Sequence, residues 1–206
     1  MSGDGGSGSK GRVTRPGQDP DHALVQAVLE GDATAYRGLV ERYQGRIHSV
    51  IYGMVRNSED ARDLTQDAFI KAYKNLHRFR QHSSFYTWLC RIAMNVAIDH
   101  LRRQKVRRAE LFEEGVATRE TGGVISIAHR REDPARNLER KQLGQRIVAA
   151  LEALPPEQQQ IVILREIEGM SYKQIAEVCE IPEGTVMSRL YYARKKLQAA
   201  LSDERE

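Results

Sequence analysis

Residues 171–197, SYKQIAEVCEIPEGTVMSRLYYARKKL, hold two short amphipathic segments separated by a turn rich in helix-breaking residues. Ser171 with Gln174 three residues on forms a capping box, and Ile175, Ala176, Val178 and Cys179 supply the apolar side of the helix that follows. Glu180-Ile181-Pro182-Glu183-Gly184 ends it, because Pro182 lacks a backbone N–H and restricts its predecessor, while Gly184 is expected to allow tight packing. In the next helix Val186, Leu190, Ala193 and Leu197 fall at i, i+4, i+7 and i+11 on one apolar face. Thr185, Ser188, Arg189, Tyr192 and Lys196 then point elsewhere, with Arg194 and Lys195 adding charge. Charge alone would suit a solvated helix closing an ordinary bundle. Cap, turn and apolar register agree on a helix-turn-helix, which slides its second helix into a major groove.

The rest of the chain is helical in pattern, with no repeat, heptad array or strand-rich region, so the expected fold is all-α with two small helical domains. Residues 1–20 are rich in Gly and Ser and are expected to be a disordered tail; Gly3 to Lys10 does not match a nucleotide-binding loop. A first domain is expected over 21–107. Leu24, Val28 and Leu29 form a short stripe stopped at Gly31, and Asp32 caps a long helix with Tyr36, Leu39, Val40, Tyr43, Ile47, Val50, Ile51 and Met54 on one face. A break near Asn57 and Ser58 precedes a third helix, from about Glu59 to Leu76, with Ala61, Leu64, Ala68 and Ala72 inward and Asp60, Asp63, Gln66, Asp67 and Ile70 opposite. Ser84 caps a fourth, from about Phe85 to Arg107, burying Leu89, Ile92, Ala93, Val96, Ala97 and Leu101. Trp88 is expected in the core, because it buries a large area and abuts Ile92. Periodicity fades between about Val106 and Pro134, which places a linker at 108–137. A second domain over 138–202 opens with Leu143, Ile147, Ala150, Leu151 and Leu154 on one stripe, turns at Pro155-Pro156, and runs as a very apolar helix through Ile167 to Gly169.

A formal net charge of +4 is modest for a protein that gains affinity by neutralising phosphates, so its distribution matters more. Leu101 to Arg108, LRRQKVRR, carries five basic residues and no acid, whereas Glu59, Asp60, Asp63 and Asp67 face only Arg62 across residues 59–67. One surface suits DNA and another a basic partner. Apolar runs such as Ile161 to Leu164 and Ile147 to Leu151 are far short of the roughly 20 residues a bilayer requires. With no signal-peptide core at the N-terminus, the expected location is the cytoplasm, without membrane insertion. Cys90 and Cys179 each sit among apolar neighbours, which favours buried free thiols over a disulfide or a metal pair, and no cofactor is expected. Catalysis is not expected either: His100 beside Asp99, adjacent on a helix, do not face each other, and no nucleophile, base and orienting group share a usable spacing.

Three segments carry a resemblance: DARDLTQDAFIKAYKNLHRF from Asp60 to Phe79, SSFYTWLCRIAMNVAIDHLRR from Ser83 to Arg103, and the helix-turn-helix from Ser171. In order and spacing, over about residues 21–202, the chain resembles a bacterial RNA polymerase sigma factor of the extracytoplasmic-function type, close to sigma-E. The resemblance implies that the first domain, region 2, binds the polymerase clamp and opens the minus-ten element, and that the second, region 4, reads the minus-thirty-five element. It places contact with a coiled coil of the largest polymerase subunit at Asp60, Asp63, Leu64, Gln66 and Asp67, and contact of region 4 with the polymerase flap. It places minus-ten contacts, including a pocket for a flipped base, at Phe79, Arg80, Ser83, Ser84, Tyr86, Asn95, Arg102 and Arg103. Asn95 is chemically apt, because an amide bonds a base edge as donor and acceptor. Minus-thirty-five contacts map to Thr185, Met187, Ser188, Arg189, Tyr191, Tyr192 and Lys195. Met187 often corresponds to a basic residue and Tyr192 to Arg in the family, so charge and bidentate guanine readout are reduced here. An anti-sigma factor is the further partner implied.

Stacking costs about 1.4 kcal/mol per base-pair step. Opening four or five steps thus needs roughly 6 to 7 kcal/mol, whereas each captured base returns about 1 to 3. Two captured bases barely reach break-even, so polymerase must contribute binding surface. A stand-alone helix-turn-helix regulator is the alternative, and it leaves the acidic stripe unexplained. The linker, about 28 residues at roughly 3.3–3.6 Å each, reaches some 90–100 Å. One turn of DNA is about 34 Å, so two separated elements lie within its span.

Overall fold

The computed structural model describes residues 21–80, 82–113 and 134–202. The expected tail and most of the expected linker lie outside the described residues. In the first domain α1 (His22–Leu29) leads into α2 (Ala33–Val55), α3 (Ser58–Asn75), a 3₁₀ turn (Leu76–Arg78) and α4 (Phe85–Glu113). In the second, α5 (Pro134–Glu152) and α6 (Pro156–Val162) run into a π turn (Ile163–Ile167), followed by α7 (Tyr172–Cys179) and α8 (Glu183–Ser202).

Capping sets the helix starts. Asp32 accepts from Thr34 N at 2.8 Å and from the Thr34 hydroxyl, and these bonds hold its carboxyl below the usual aspartate range. Asn57 accepts from Glu59 N at 2.9 Å and Asp60 N at 3.1 Å, with both acids in the first turn, where the helix dipole favours them. Ser84 accepts from Thr87 N at 3.1 Å. Ser171 and Gln174 form the reciprocal capping box, at 3.2 and 2.9 Å. Gly169 closes the preceding segment at φ +65°, a conformation that favours glycine.

The three long helices of the first domain bury Leu39, Ile47, Val50, Ile51, Ala61, Ala68, Ala72, Leu89, Ala93 and Ala97 against one another. Asp21 is fully buried and pins α1 to α2 by bonds from Arg42 and the Tyr43 hydroxyl. The second domain packs α6 and α7 on α8 through Ile161, Leu164, Ile175, Val178, Val186 and Leu190.

Several expectations are corrected. Val25 anchors α1, whereas Leu29 is 45% exposed. Helix α4 continues to Glu113, past the expected end at Arg107. In α5, Leu143 and Ile147 are exposed and only the last turn, with Ala150 and Leu151, enters the core. The helix beyond Val162 widens into the π turn, which leaves Ile167 exposed. A Cβ on Gly184 would meet nothing within 4 Å, so the expected tight packing there is absent.

The two domains share one continuous apolar core. Helix α4 packs on α7, and α2 packs on α6 and the π turn. At Gly53 the approach is closest: an added Cβ would lie 3.2 Å from Ile163 Cδ1, and Gln159 Nε2 donates to the Gly53 carbonyl at 3.3 Å.

Replacing Ser171 by Ala removes half of the capping box and is expected to destabilise the chain by about 0.5–2 kcal/mol. Urea unfolding followed by circular dichroism checks this; an unchanged midpoint would refute it.

Candidate nucleic-acid interface

Burial of Val186, Leu190 and Ala193 sets the rotation of α8 and decides what faces outward. Met187, Tyr191 and Tyr192 are at least half exposed, Ser188 and Lys195 are exposed, and Thr185 and Arg189 are half-buried at the edge of the face. The Tyr191 and Tyr192 rings meet edge-on at 5.4 Å, and the Ser188 hydroxyl donates to the Thr185 carbonyl at 3.1 Å. Arg194 is held by Glu166 at 2.6 Å, so it is tied to the protein. Exposed aromatic rings beside Lys195 form an amphipathic surface suited to a charged polymer with flat bases.

On the first domain, α3, the 3₁₀ turn and α4 frame two adjoining cavities of about 540 and 370 Å³. Phe79, Arg80 and Ser83 line the larger, Asn95 lines the smaller, and Arg78, Trp88 and Arg91 belong to both. The loop and Asn95 therefore meet on one surface. Trp88 is 7% exposed and packs on Phe79 at 5.3 Å, as expected of a core residue that shows one edge to the cavity. Sequence reading did not assign Lys71, Arg78 or Arg91 to this site. Arg91 was detectable, four residues before Asn95 on one helix face, whereas Lys71 and Arg78 arrive from other elements. Arg102 and Arg103 are exposed further along α4.

Two expected contact residues are otherwise engaged. The Ser84 hydroxyl serves as the α4 cap. Tyr86 is buried, stacks on Tyr43 at 5.1 Å, lies 3.7 Å under the Arg46 guanidinium and donates to Glu168 of the second domain, so it offers no stacking face to a base here. Burial pushes its phenol well up, which keeps it a neutral donor.

Along α3, Asp63, Gln66 and Asp67 are exposed on one face. Leu64 points the other way and is 6% exposed, so it supports that face from beneath instead of touching a partner. Asp60 turns toward α4, 3.3 Å from His100 Nε2. Beside this face, α2 and α3 leave an apolar groove of about 820 Å³, lined by Tyr36, Val40, Phe69, Ile70 and Tyr73 with Gln66 at its margin.

A helix-turn-helix with an outward reading face, joined to a helical domain that carries a cationic, aromatic cleft, defines a DNA-binding transcription factor. Comparison with known proteins narrows the class. Residues 39–107 match the Sigma-70 region 2 family and residues 144–197 match Sigma-70, region 4. The RNA polymerase sigma-H factor of Pseudomonas aeruginosa is 38% identical over 187 residues, covering 89% of this chain and 95% of that protein. The ECF RNA polymerase sigma-E factor of Escherichia coli K12 is 38% identical over 186 residues, covering 86% and 92%. Among solved structures, CnrH in complex with the cytosolic domain of CnrY superposes with a TM-score of 0.64 at 25% identity, over 89% of this chain and 98% of that one. The chain belongs to the sigma-70 family, in its extracytoplasmic-function (ECF) branch, and is an alternative sigma factor.

No described helix is long and apolar enough to cross a membrane. Burial pushes the Cys90 and Cys179 thiols up to about 12, which removes thiolate at neutral pH. Free cysteine titrates near 8.5, so at pH 8 a disulfide reagent is expected to label the folded chain at least about a hundredfold more slowly than the urea-unfolded chain. Fast labelling of both thiols without denaturant would contradict this.

Proposed function

We propose that Asp63, Gln66 and Asp67 form the polymerase contact, that the Asn95 cleft receives unpaired bases at the minus-ten element, and that α8 reads the minus-thirty-five element. The observation that carries this reading is the separation of surfaces: an acidic face on α3, a cationic cleft with Trp88 and Asn95, and an outward α8 with aromatic and basic side chains. Acidic side chains suit a basic helical partner and repel DNA, whereas Arg78, Arg80 and Arg91 attract phosphate. The domain limits follow the same reading, with region 2 over 21–107, region 4 over 138–202 and a linker between. Region 4 also meets the polymerase flap.

On α8, Arg189 and Lys195 are assigned to phosphate or base edges, Tyr191 and Tyr192 to stacking and apolar contact, and Thr185, Met187 and Ser188 to close approach in the groove. Arg102 and Arg103 extend the phosphate track from the cleft. The protein acts on the cytoplasmic side, where polymerase works, and performs no catalysis of its own. An anti-sigma partner completes the reading; the RpoE neighbour from Bartonella quintana is solved with one.

The double replacement Asp63→Lys with Asp67→Lys is expected to abolish holoenzyme formation, checked by co-elution with purified core polymerase. Normal co-elution would defeat the assignment. Asn95→Ala is expected to leave co-elution intact and to weaken promoter opening by about 1–3 kcal/mol, the value of one bidentate amide–base pair. Permanganate reactivity of thymines in the opened region is the readout, and an unchanged footprint contradicts the base-pocket assignment.

A further inference from the structure

A helix-turn-helix reads base edges with the N-terminal residues of its second helix. In α8 the outward side chains of that half are Thr185, Met187, Ser188, Tyr191 and Tyr192. Guanine is most often read by arginine, whose guanidinium bonds O6 and N7 together. Neither arginine of α8 stands on this part of the face. Arg194 is tied to Glu166 at 2.6 Å. Arg189 is half-buried against α7, where its charge opposes the burial that raises the Cys179 thiol. Lys195 lies one turn beyond Tyr191 and about 12 Å of helix rise from Met187, which sets it toward the phosphates and away from the bases at the other end.

What the face presents is apolar. Tyr191 is 64% exposed, Tyr192 57% and Met187 50%. Large apolar side chains exposed side by side mark a contact surface. Met187 and Tyr191 are four residues apart and share one stripe of the helix. The Tyr192 ring meets Tyr191 edge-on at 5.4 Å and restrains it. Ser188 donates its hydroxyl to the Thr185 carbonyl at 3.1 Å, so that donor is used within the helix. Exposed Lys195 and Lys196 set positive charge beside the patch, which fits a polyanion better than an apolar protein groove.

In the major groove one base carries a projecting apolar group, the C5 methyl of thymine. A guanine or cytosine edge pressed on a methionine or a tyrosine ring would lose water without gaining a partner, a cost that a methyl group escapes. Four residues of helix rise about 6 Å, and neighbouring base pairs are about 3.4 Å apart, so Met187 and Tyr191 reach methyls one or two steps from each other.

We infer that thymine is the base this α8 selects: Met187 and Tyr191 pack on the C5 methyl groups of two thymines, on either strand, in the minus-thirty-five element. Tyr192 positions the Tyr191 ring, and Arg189 and Lys195 take phosphates. The inference rests on the reading of α8 as the helix that enters that groove, and it names the base that the helix prefers there.

The test uses holoenzyme assembled from the full chain and purified core polymerase. Duplexes randomised over the length of a promoter are selected by binding, and each thymine of the enriched upstream element is then replaced by deoxyuridine, which lacks only the methyl. Removing a contacted methyl is expected to weaken binding of wild-type holoenzyme about three- to fivefold per site. The loss is expected to vanish in Met187→Ala with Tyr191→Ala, two exposed positions whose replacement leaves the circular dichroism spectrum unchanged. A selected element without thymine overturns the inference, as does one that binds equally well with deoxyuridine. A methyl effect that persists in the double variant also overturns it, since the methyls then act through duplex shape. Arg189→Ala with Lys195→Ala separates the two readings. If that variant weakens binding to the upstream element while deoxyuridine has no effect, α8 enters the groove without reading methyls and the inference alone fails. If neither pair of replacements nor scrambling of the upstream element changes binding, the reading of α8 fails and the inference with it, and the apolar face belongs to a protein partner.

Discussion

Ala61, Leu64, Ala68 and Ala72 are buried where α3 packs on α2 and α4, and their burial sets the rotation of α3 about its own axis. Small side chains at three of these positions bring the helices close, and Leu64 adds about 1.5–3 kcal/mol of apolar burial. Given that packing, Asp63, Gln66 and Asp67 have only solvent to face. The same logic operates at the other end of the chain, where Val186, Leu190 and Ala193 turn Met187, Ser188, Tyr191 and Lys195 outward. Each functional surface is the complement of a buried stripe.

Two polar devices then act on top of the packing. Caps made by Asp32, Asn57, Ser84 and Ser171 fix where helices begin, so that side chains separated by many residues arrive in register. Glu168 joins the domains by satisfying Arg46 and Tyr86 at once. A carboxylate so enclosed is tolerable because both partners are present, and removing either would leave polar atoms buried without compensation.

Helical periodicity made much of the fold legible. The long stripe from Tyr36 to Met54, the four inward residues of α3 and the cap at Ser171 all lie where their spacing placed them. Spacing was less informative where an apolar residue had a choice of neighbours. Leu143 and Ile147 share a stripe with Leu151, yet only the last turn of α5 meets the core. The π turn at Ile163–Ile167 was likewise invisible, since an extra residue in a helical turn leaves no compositional mark. Among the candidate contacts, Asn95 and the exposed acids of α3 could be placed from the sequence, whereas Lys71 and Arg78 could not, because their nearness to Asn95 spans separate elements.

By itself the sequence determined the helices, their caps, the reading face of α8 and the acidic face of α3, because these depend on neighbours three or four positions apart. Tertiary structure alone decided the fate of Tyr86, which the resemblance places among the minus-ten contacts and which is a buried partner of Glu168, 82 residues away. It also decided that Glu180 should lie against Arg91, 89 residues distant in the chain. Local periodicity carries no information about which surfaces of two domains meet. That choice is made by shape, by the gap at Gly53 that admits Ile163, and by the pairing of charges across the contact.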